Sequence, residues 1–331
     1  MVVILCRLPP RFYDPERAFQ CRAMHSSMVI KLLACGRASP EGVKIGRRRH
    51  TTMASLPTGT VTDDGALFSF RRDPRTAHWT FPGNRQVIAL LLFGYLYVVK
   101  IGGPRFMKNR KPYDGIKPLI AVYNLAMVMC SAWFVWAVLS RTYLGGRYGV
   151  LCQGIDFQAK DDNTMAILSL IWWYTMVRIG DFLDTFFFVL RKKTSHVSFL
   201  HVVHHVLVVF NGWFGLTYGP DGQAVMVIVI NGSVHVIMYF YYFLSLMGPA
   251  VQKHLWWKRY ITQLQLAQFV MLFIHACMPL FISCGYPRSH TYITLSQAVF
   301  FFALFTHFYL NSYKRRRSLT GDKSEIKSKM R

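Results

Sequence analysis

The chain has 331 residues, of which 53% are hydrophobic and 15% aromatic but only 16% charged, a low charge content for a soluble protein of this length. The formal net charge of +24 would by itself suggest nucleic-acid binding. The basic residues, however, lie between apolar runs and no repeat or RNA-binding signature accompanies them. We therefore exclude nucleic acid as a partner and expect a membrane protein.

The N-terminal region, residues 1–52, contains ten Lys or Arg residues against three acidic ones and no sustained apolar run. The apolar stretch at residues 1–5 is too short for the hydrophobic region of a secretory signal peptide. An Arg-rich organelle presequence remains an alternative, although Met53 begins an ordinary-looking N-terminus. We expect residues 1–72 to be a disordered or artefactual extension that precedes a domain at residues 73–314.

Seven apolar segments follow, and each has about the 17–25 residues that a helix needs to cross a hydrocarbon core. They lie at residues 86–102, 118–139, 164–190, 199–216, 223–247, 261–283 and 291–313. The pattern predicts an all-α membrane protein with a bundle of seven transmembrane helices.

The charge of the connecting loops alternates. The loops at residues 100–117, 191–198 and 248–260, together with the tail at 314–331, hold 20 basic residues, whereas the other three connections hold four. The positive-inside rule then puts the C-terminus in the cytosol, and seven spans put the N-terminus on the opposite side. The 14 basic residues of residues 1–85 fit that placement poorly.

Two of the seven cysteines, Cys152 and Cys284, fall on the non-cytosolic side in this topology. That side would be oxidising in the endoplasmic reticulum, so we predict a disulfide between them, with two unrelated thiols as the alternative. Cys130 and Cys277 lie within spans and are interpreted as packing residues. The basic tail at 315–331 ends in Lys327-Ser-Lys329-Met-Arg331, which resembles a dibasic retrieval signal of endoplasmic-reticulum membrane proteins.

Three histidines, His201, His204 and His205, share one face of the fourth span, because offsets of three and four residues bring helical side chains together. Ionisable residues inside a span are costly and usually mark a functional site that faces the bundle interior. Other polar positions repeat at helical spacings in neighbouring spans: Arg178, Asp181 and Asp184; Asn231, His235, Tyr239 and Tyr242; Gln265, Gln268 and His275. We expect these stripes to meet in one interior.

Metal binding is one interpretation of the histidines. The His-x-x-His-His pattern resembles one histidine box of the membrane di-iron desaturases and hydroxylases, but the chain has too few other histidines for their several boxes. A mononuclear zinc site made of His201, His205 and His235 remains open. We expect no bound metal or cofactor. A non-enzymatic seven-helix receptor or transporter is the alternative of a different class.

The order and spacing of these residues resemble the ELO family of animal-type fatty-acid elongases, over residues 73–314. The matching segments are Asp184-Thr185-x-Phe187-Phe188, Leu200-His-Val-Val-His-His205, Asn231-x-x-x-His235-x-x-Met238-Tyr-x-Tyr241-Tyr242, Trp256-Trp-Lys-Arg-Tyr260, Thr262-x-x-Gln265-x-x-Gln268-Phe269 and Phe308-Tyr-x-x-x-Tyr313-Lys314. The resemblance implies a seven-helix bundle in the endoplasmic-reticulum membrane that condenses long-chain acyl-CoA with malonyl-CoA. It also implies other elongation-cycle enzymes (3-ketoacyl-CoA reductase, dehydratase and enoyl reductase) as partners, and a homo-oligomer remains open.

One motif departs from the family. The usual Lys-x-x-Glu-x-x-Asp-Thr reads Arg178-x-x-Asp181-x-x-Asp184-Thr185 here. The signs of the charges are kept, but arginine is a planar fork and aspartate is one carbon shorter than glutamate. We expect altered positioning or chain-length preference rather than loss of activity.

The motifs contain no cysteine, so the expected nucleophile is a neutral imidazole, which can carry the acyl group. We place the acyl group on His204, with His201 or His205 orienting it and handling protons. His235 and Asn231 are expected to donate to the developing enolate oxygen. Asp184 is counted with these catalytic residues. The other stripe residues are assigned to substrate binding: Arg178, Asp181, Tyr239, Tyr242, Gln265, Gln268 and His275.

The CoA moiety is expected to enter from the cytosol, where basic side chains can meet its phosphates. The candidates are Arg191, Lys192, Lys193, Lys253, Lys258 and Arg259, with an ordinary positive-inside role as the alternative for each. The acyl chain is expected to lie in a tunnel between the helices, closed toward the lumen.

Overall fold

The computed structural model describes residues 70–314, apart from the side chain of Lys314. The expectations for residues 1–69 and for the tail at 315–331 lie outside these described residues. Within the described range the chain is helical and contains no strand. The helices are α1 (Arg85–Tyr97), α2 (Gly103–Met107), α3 (Lys117–Arg141), α4 (Asp162–Gly180), α5 (Phe182–Leu190), α6 (Phe199–Tyr218), α7 (Val225–Ser245), α8 (Pro249–Gln252), α9 (Lys258–Phe281) and α10 (Arg288–Tyr309).

Seven helical segments of the described chain are long and apolar enough to cross a membrane, which confirms the predicted count. They are Arg85–Met107, Asp114–Arg141, Asp162–Leu190, Phe199–Tyr218, Gly222–Ser245, Lys258–Phe281 and Arg288–Tyr313. Two of these spans are interrupted within their length. The first joins α1 to α2 through a wider π-helical turn, Val98–Gly102, and the third breaks at Asp181 between α4 and α5.

Local sequence explains where two site-bearing helices begin. The carboxylate of Asp161 accepts hydrogen bonds from the backbone N–H groups of Asn163 and Thr164, both at 3.1 Å, and caps α4. The Thr164 hydroxyl, which donates to the same carboxylate at 2.5 Å, and then these backbone bonds hold the pKa of Asp161 below its usual value. The hydroxyl of Ser198 accepts from the backbone N–H of His201 at 3.2 Å and caps α6. Both helices therefore start with the side-chain caps that satisfy their free N–H groups.

The helices pack in pairs, with α3 against α7, α4 against α6, and α9 against α10. Glycines allow two of these contacts to be close. A Cβ atom on Gly212 of α6 would lie 2.6 Å from the Thr175 side chain of α4, and one on Gly232 of α7 would lie 2.7 Å from Val135 of α3. Small residues at such positions let transmembrane helices approach where no hydrophobic driving force exists.

One end of the bundle is covered by the segment that precedes α1. The backbone N–H of Asp73 donates to the Thr217 carbonyl at 2.9 Å, and the Thr76 hydroxyl donates to the Leu216 carbonyl at 2.6 Å, both at the end of α6. The fully buried Arg75 pairs with Asp73 at 2.7 Å and with Asp221 at 2.8 Å. Although burial opposes its charge, these carboxylates raise the pKa of Arg75 above its usual value.

The predicted disulfide between Cys152 and Cys284 is present at this same end, with the two Cα atoms 6.0 Å apart. It joins the loop between α3 and α4 to the loop between α9 and α10. A Cβ atom on Gly154 would collide with the Cys284 carbonyl, so the two loops lie in close contact. We name residues 70–83, 148–157, 217–223 and 284–290 together the closed end.

The opposite end of the bundle is basic. The carbonyl of Leu190 accepts from the Tyr113 backbone N–H at 3.1 Å, and Lys192 donates to the Lys108 carbonyl at 3.4 Å. These contacts hold the first loop against the end of α5. The apolar spans thus connect two chemically different ends.

Candidate active site

The histidine face of α6 is buried between its neighbours. The ring centroids of His201 and His205 lie 4.4 Å apart, and those of His204 and His205 lie 5.9 Å apart. His205 is 8% exposed and lies 6.2 Å from the ring of Phe182 on α5. The predicted grouping of the three imidazoles on one helix face is therefore what the structure contains.

His204 points toward α10. Its ring centroid lies 5.1 Å from that of Phe301 and 5.9 Å from that of Phe305. Its Nδ1 atom is buried and has no hydrogen-bond partner among residues 70–314. His204 therefore offers an unengaged ring nitrogen in an aromatic surrounding.

His235 on α7 meets Arg178 on α4. A guanidinium Nη1 contacts His235 Nδ1 and lies 3.4 Å from Nε2. The same Nη1 lies 3.1 Å from Asp181 Oδ2. Because a guanidinium only donates hydrogen bonds, the contacted Nδ1 must be an acceptor, which places the proton of the neutral ring on Nε2.

Arg178 is 2% exposed, and its Nε and Nη2 atoms have no partner in the described part of the chain. The guanidinium also lies 4.8 Å from the centroid of the Tyr174 ring. Two N–H-bearing atoms of a buried cation are thus left for a ligand, and leaving such groups unpaired is costly.

Asn231 lies one helical turn before His235. Its Oδ1 accepts from the Tyr174 hydroxyl at 3.1 Å, and its Nδ2 lies 3.5 Å from Gln268 Oε1 on α9. Because Tyr174 engages the carbonyl side of this amide, the N–H side is oriented toward the space between α7 and α9. The structure therefore brings Gln268 and Asn231 together, as the stripes predicted.

The two carboxylates of the third span share one tyrosine. The hydroxyl of Tyr239 on α7 lies 2.7 Å from Asp184 Oδ2 and 3.1 Å from Asp181 Oδ1. Tyr239 is fully buried and its ring lies 5.7 Å from that of His235. This network ties the break at Asp181 to the histidine of α7.

Two predicted stripe residues lie away from these contacts. His275 donates from Nε2 to the Val150 carbonyl, 3.0 Å away, and its Nδ1 accepts from Gln223 at 3.3 Å, both at the closed end. Gln265 contacts the sulfur of Met238 at 3.6 Å. Tyr242 is 37% exposed, but its ring lies 5.9 Å from that of Tyr239. The position of His275 follows from helix geometry, since ten residues after Gln265 amount to about 15 Å of helix.

Basic residues cluster at the end opposite the disulfide. Arg191 lies 3.5 Å from Asp114, whereas Lys192, Lys193, Lys253, Lys258 and Arg259 are exposed. Burial and the neighbouring cations, chiefly Arg191 and Lys117, lower the pKa of Lys193. This crowding of like charges favours an anionic ligand.

No three His, Cys, Asp or Glu side chains of residues 70–314 are arranged to hold a metal ion. His235, a member of the zinc alternative, has its Nδ1 engaged by a guanidinium. A neighbouring cation of this kind disfavours a second positive charge on the same ring.

Sequence reasoning missed three residues of the site: Tyr95, Tyr174 and Thr185. Their hydroxyls contact Thr185, Asn231 and His201, respectively. The two tyrosines stand in apolar spans and look like packing residues. Thr185 belongs to one of the family motifs, but its position in the sequence does not indicate a hydrogen-bond partner on another helix.

The ELO: GNS1/SUR4 family matches residues 80–320, which include every residue of this site. A very long chain fatty acid elongase of Aedes aegypti is 40% identical over 76% of this chain and 70% of its own length. Very long chain fatty acid elongase 7 of Drosophila melanogaster is 35% identical, over 79% of this chain and 78% of its own length. Very long chain fatty acid elongase 7 of Rattus norvegicus is 36% identical, over 78% of this chain and 92% of its own length.

Proposed function

Since the chain belongs to the ELO family and is an enzyme of fatty-acid elongation, we propose that it catalyses the condensing step. In this step a long-chain acyl-CoA and malonyl-CoA give a very-long-chain 3-oxoacyl-CoA, free CoA and CO2. The observation that carries the proposal is a pair of buried histidines with different roles, His204 with an unengaged Nδ1 and His235 with its Nδ1 held by Arg178. The segment that carries the site, residues 178–242, contains no cysteine that could serve as the nucleophile.

The first half-reaction transfers the acyl group to His204. Its ring nitrogen attacks the thioester carbon, the C–S bond breaks, and the ring proton passes to the CoA thiolate. Neutral imidazole is a suitable nucleophile, and acyl-imidazole is reactive enough to pass the acyl group on. The aromatic surrounding of Phe301 and Phe305 supports this step because it keeps water from the intermediate.

The second half-reaction forms the carbon–carbon bond. Malonyl-CoA loses CO2, and the electron pair of the broken bond gives an enolate. The α-carbon of the enolate attacks the acyl-imidazole, the C–N bond to His204 breaks, and a proton from solvent restores the ring. Negative charge develops on the enolate oxygen, so preorganised donors aimed at that oxygen accelerate the reaction.

Three groups can supply those donors. His235 can donate from Nε2–H, because Arg178 occupies its Nδ1 as an acceptor. Asn231 can donate from its amide N–H group, because Tyr174 occupies the amide oxygen. Arg178 adds the N–H groups on Nε and Nη2, which have no partner within residues 70–314. Its positive charge also attracts the anionic malonyl thioester. Asp181, Asp184 and Tyr239 hold Arg178 and α7 in register.

The basic end supports the entry of CoA. Burial and the cations of Arg191, Lys117 and Lys258 lower the pKa of Lys193 there, and the phosphates of CoA would relieve this repulsion. The acyl chain would then extend from His204 along α6 toward the closed end. With the basic end in the cytosol, the disulfide lies in the lumen of the endoplasmic reticulum, where it is stable. The other elongation-cycle enzymes would receive the 3-oxoacyl-CoA from the cytosolic side.

The test is condensation by purified protein in lipid nanodiscs, with malonyl-CoA and acyl-CoA of graded chain length. We expect CO2 release and 3-oxoacyl-CoA in equal amounts, both dependent on the acyl-CoA. Separate His204→Ala and His235→Ala variants should lose the product. His254→Ala, a change at an exposed histidine, is the matched control and should retain it. A folded wild-type protein that binds acyl-CoA but releases no CO2 from malonyl-CoA would contradict the proposal.

A further inference from the structure

Tyr95 is one of two buried residues on α1, the other being Ile88. On α1, Leu90 is 75% exposed and Phe93 is 71% exposed, but Tyr95 is only 3% exposed. Its ring stacks on Phe182 of α5 with centroids 4.0 Å apart. Its hydroxyl lies 2.9 Å from the Oγ1 atom of Thr185. A phenol in such a place needs a hydrogen-bond partner, because burying an unpaired hydroxyl is costly.

Thr185 connects this phenol to the histidine face. Its side chain is completely buried, and the same Oγ1 atom lies 2.9 Å from Nε2 of His201. One hydroxyl therefore bridges α1 and α6 from its place on α5. The hydrogen-bonded series Tyr95–Thr185–His201 contains no charged group.

The number of available protons fixes the donor and acceptor in each of these two hydrogen bonds. The phenolic oxygen of Tyr95 has Thr185 as its one hydrogen-bond partner in the described range, so its proton is donated to Thr185. The single proton of the Thr185 hydroxyl is then available to Nε2 of His201. The reverse direction would leave the phenolic proton without an acceptor. His201 Nε2 is thus an acceptor, and the proton of the neutral ring is on Nδ1.

His201 lies between the basic end and His204. The ring of Phe188 contacts both His196, at 5.1 Å, and His201, at 5.5 Å between centroids. A CoA thioester that enters at the basic end and reaches His204 passes this position. A ring fixed with Nδ1–H can donate to the thioester carbonyl oxygen but cannot act as a base at that nitrogen.

We propose that Tyr95 and Thr185 are positioning residues that hold His201 as the Nδ1–H tautomer, so that it donates a hydrogen bond to the reacting thioester. This inference rests on the proposed condensation. It also assigns separate roles to two histidines, because His201 then donates to the thioester and proton transfer is left to His205. Neither hydroxyl touches the reacting atoms. Both act through His201.

The test compares variants that remove one hydroxyl with little change of shape. Thr185→Val removes the bridge, and Thr185→Ser keeps it. Tyr95→Phe leaves Thr185 free to reverse its bond. Thr175→Val is the matched control, because Thr175 is also a buried threonine but its hydroxyl, within residues 70–314, bonds only the Ile171 carbonyl of its own helix.

We expect Thr185→Val to lower kcat about 10- to 100-fold while KM for each CoA substrate changes less than threefold, since an interaction with the transition state is lost. Thr185→Ser and Thr175→Val should stay within threefold of wild type. Tyr95→Phe should lie in between, and the Tyr95→Phe/Thr185→Val double variant should be no worse than Thr185→Val, because both changes break the same chain. Equal losses for the Ser and Val variants, or additive losses in the double variant, would overturn the proposal.

A second readout does not depend on catalysis. In protein labelled with ¹⁵N-histidine, the His201 signals, identified by their absence in His201→Gln, should show a protonated Nδ1. In Tyr95→Phe and Thr185→Val they should shift toward a tautomer mixture. A protonated Nε2 in the wild-type protein would refute the inference whether or not condensation is observed. Absence of condensation with Nδ1–H retained would refute the proposed function alone.

Discussion

Single groups with a fixed hydrogen-bonding role decide what the histidines can do. A guanidinium only donates, so Arg178 makes Nδ1 of His235 an acceptor. The phenol of Tyr174 orients the Asn231 amide in a comparable way. Helical spacing is local information, and it placed Asn231 and Gln268 on facing stripes, as the structure has them, but it did not predict that His275 lies at the closed end. It could not predict the histidine tautomers, since Arg178 and His235 are 57 residues apart and belong to different helices.

At the residue scale we predict that Asn231→Ala lowers kcat about 10²- to 10³-fold, the usual cost of losing one oxyanion donor. KM for acyl-CoA should change little, because the donor acts after acyl transfer. Ser233→Ala, a change at an exposed residue of the same helix whose hydroxyl bonds the Val229 carbonyl, is the control. Steady-state kinetics on both variants measures the difference. A loss below tenfold would remove Asn231 from the oxyanion role.

At the scale of elements, the structure confirms the seven predicted spans, because hydropathy over about 20 residues is a strong local signal. It also contains features that hydropathy does not report. The third span breaks at Asp181, and the first contains a π-helical turn at Val98–Gly102. Arg75 was not predicted to be structural, because its partner Asp221 lies 146 residues away.

We predict that Arg75→Met destabilises the protein by about 3–5 kcal/mol, because Asp73 and Asp221 are left as buried carboxylates without their cation. The exposed Arg71 provides the control variant Arg71→Met. Thermal unfolding in detergent, followed by tryptophan fluorescence, compares the two. Equal melting temperatures for both variants would show that the closed end does not depend on this ion cluster.

The disulfide gives a second prediction at this scale. It closes a segment with a sequence separation of 132, and replacing Cys152 and Cys284 by serine should cost about 2–4 kcal/mol. Cys277→Ser, at a half-buried free thiol within α9, controls for loss of a sulfur atom. Melting temperatures with and without reductant should differ for wild type and coincide for the double variant. A wild-type melting temperature unaffected by complete reduction would contradict this expectation.

For the whole molecule, the two ends of the bundle differ in the polar groups that they contain. The closed end holds a buried ion cluster and the disulfide, and the basic end holds exposed lysines. Between them lies a histidine-lined interior, which both an acyl chain and a charged carrier must reach in the proposed function. The proposed function places the basic end in the cytosol, as the positive-inside pattern predicts.

We predict that the Arg191→Gln/Lys193→Gln double variant raises KM for both CoA substrates, by roughly fivefold per charge at low salt, from about 1 kcal/mol per exposed ion pair. The increase should shrink at high ionic strength, because salt screens exposed charges. Lys160→Gln, at an exposed lysine of the loop between α3 and α4, is the matched control. An unchanged KM of the double variant at low salt would show that CoA does not bind at Arg191 and Lys193.

The acyl-histidine intermediate is tested most directly by peptide-resolved mass spectrometry of protein incubated with acyl-CoA alone. We expect one acyl group per chain, located on His204, that disappears with formation of 3-oxoacyl-CoA when malonyl-CoA is added. In His204→Ala the adduct should be absent. Condensation by wild-type protein without any adduct, or an adduct that persists in His204→Ala, would rule out His204 as the acylated residue.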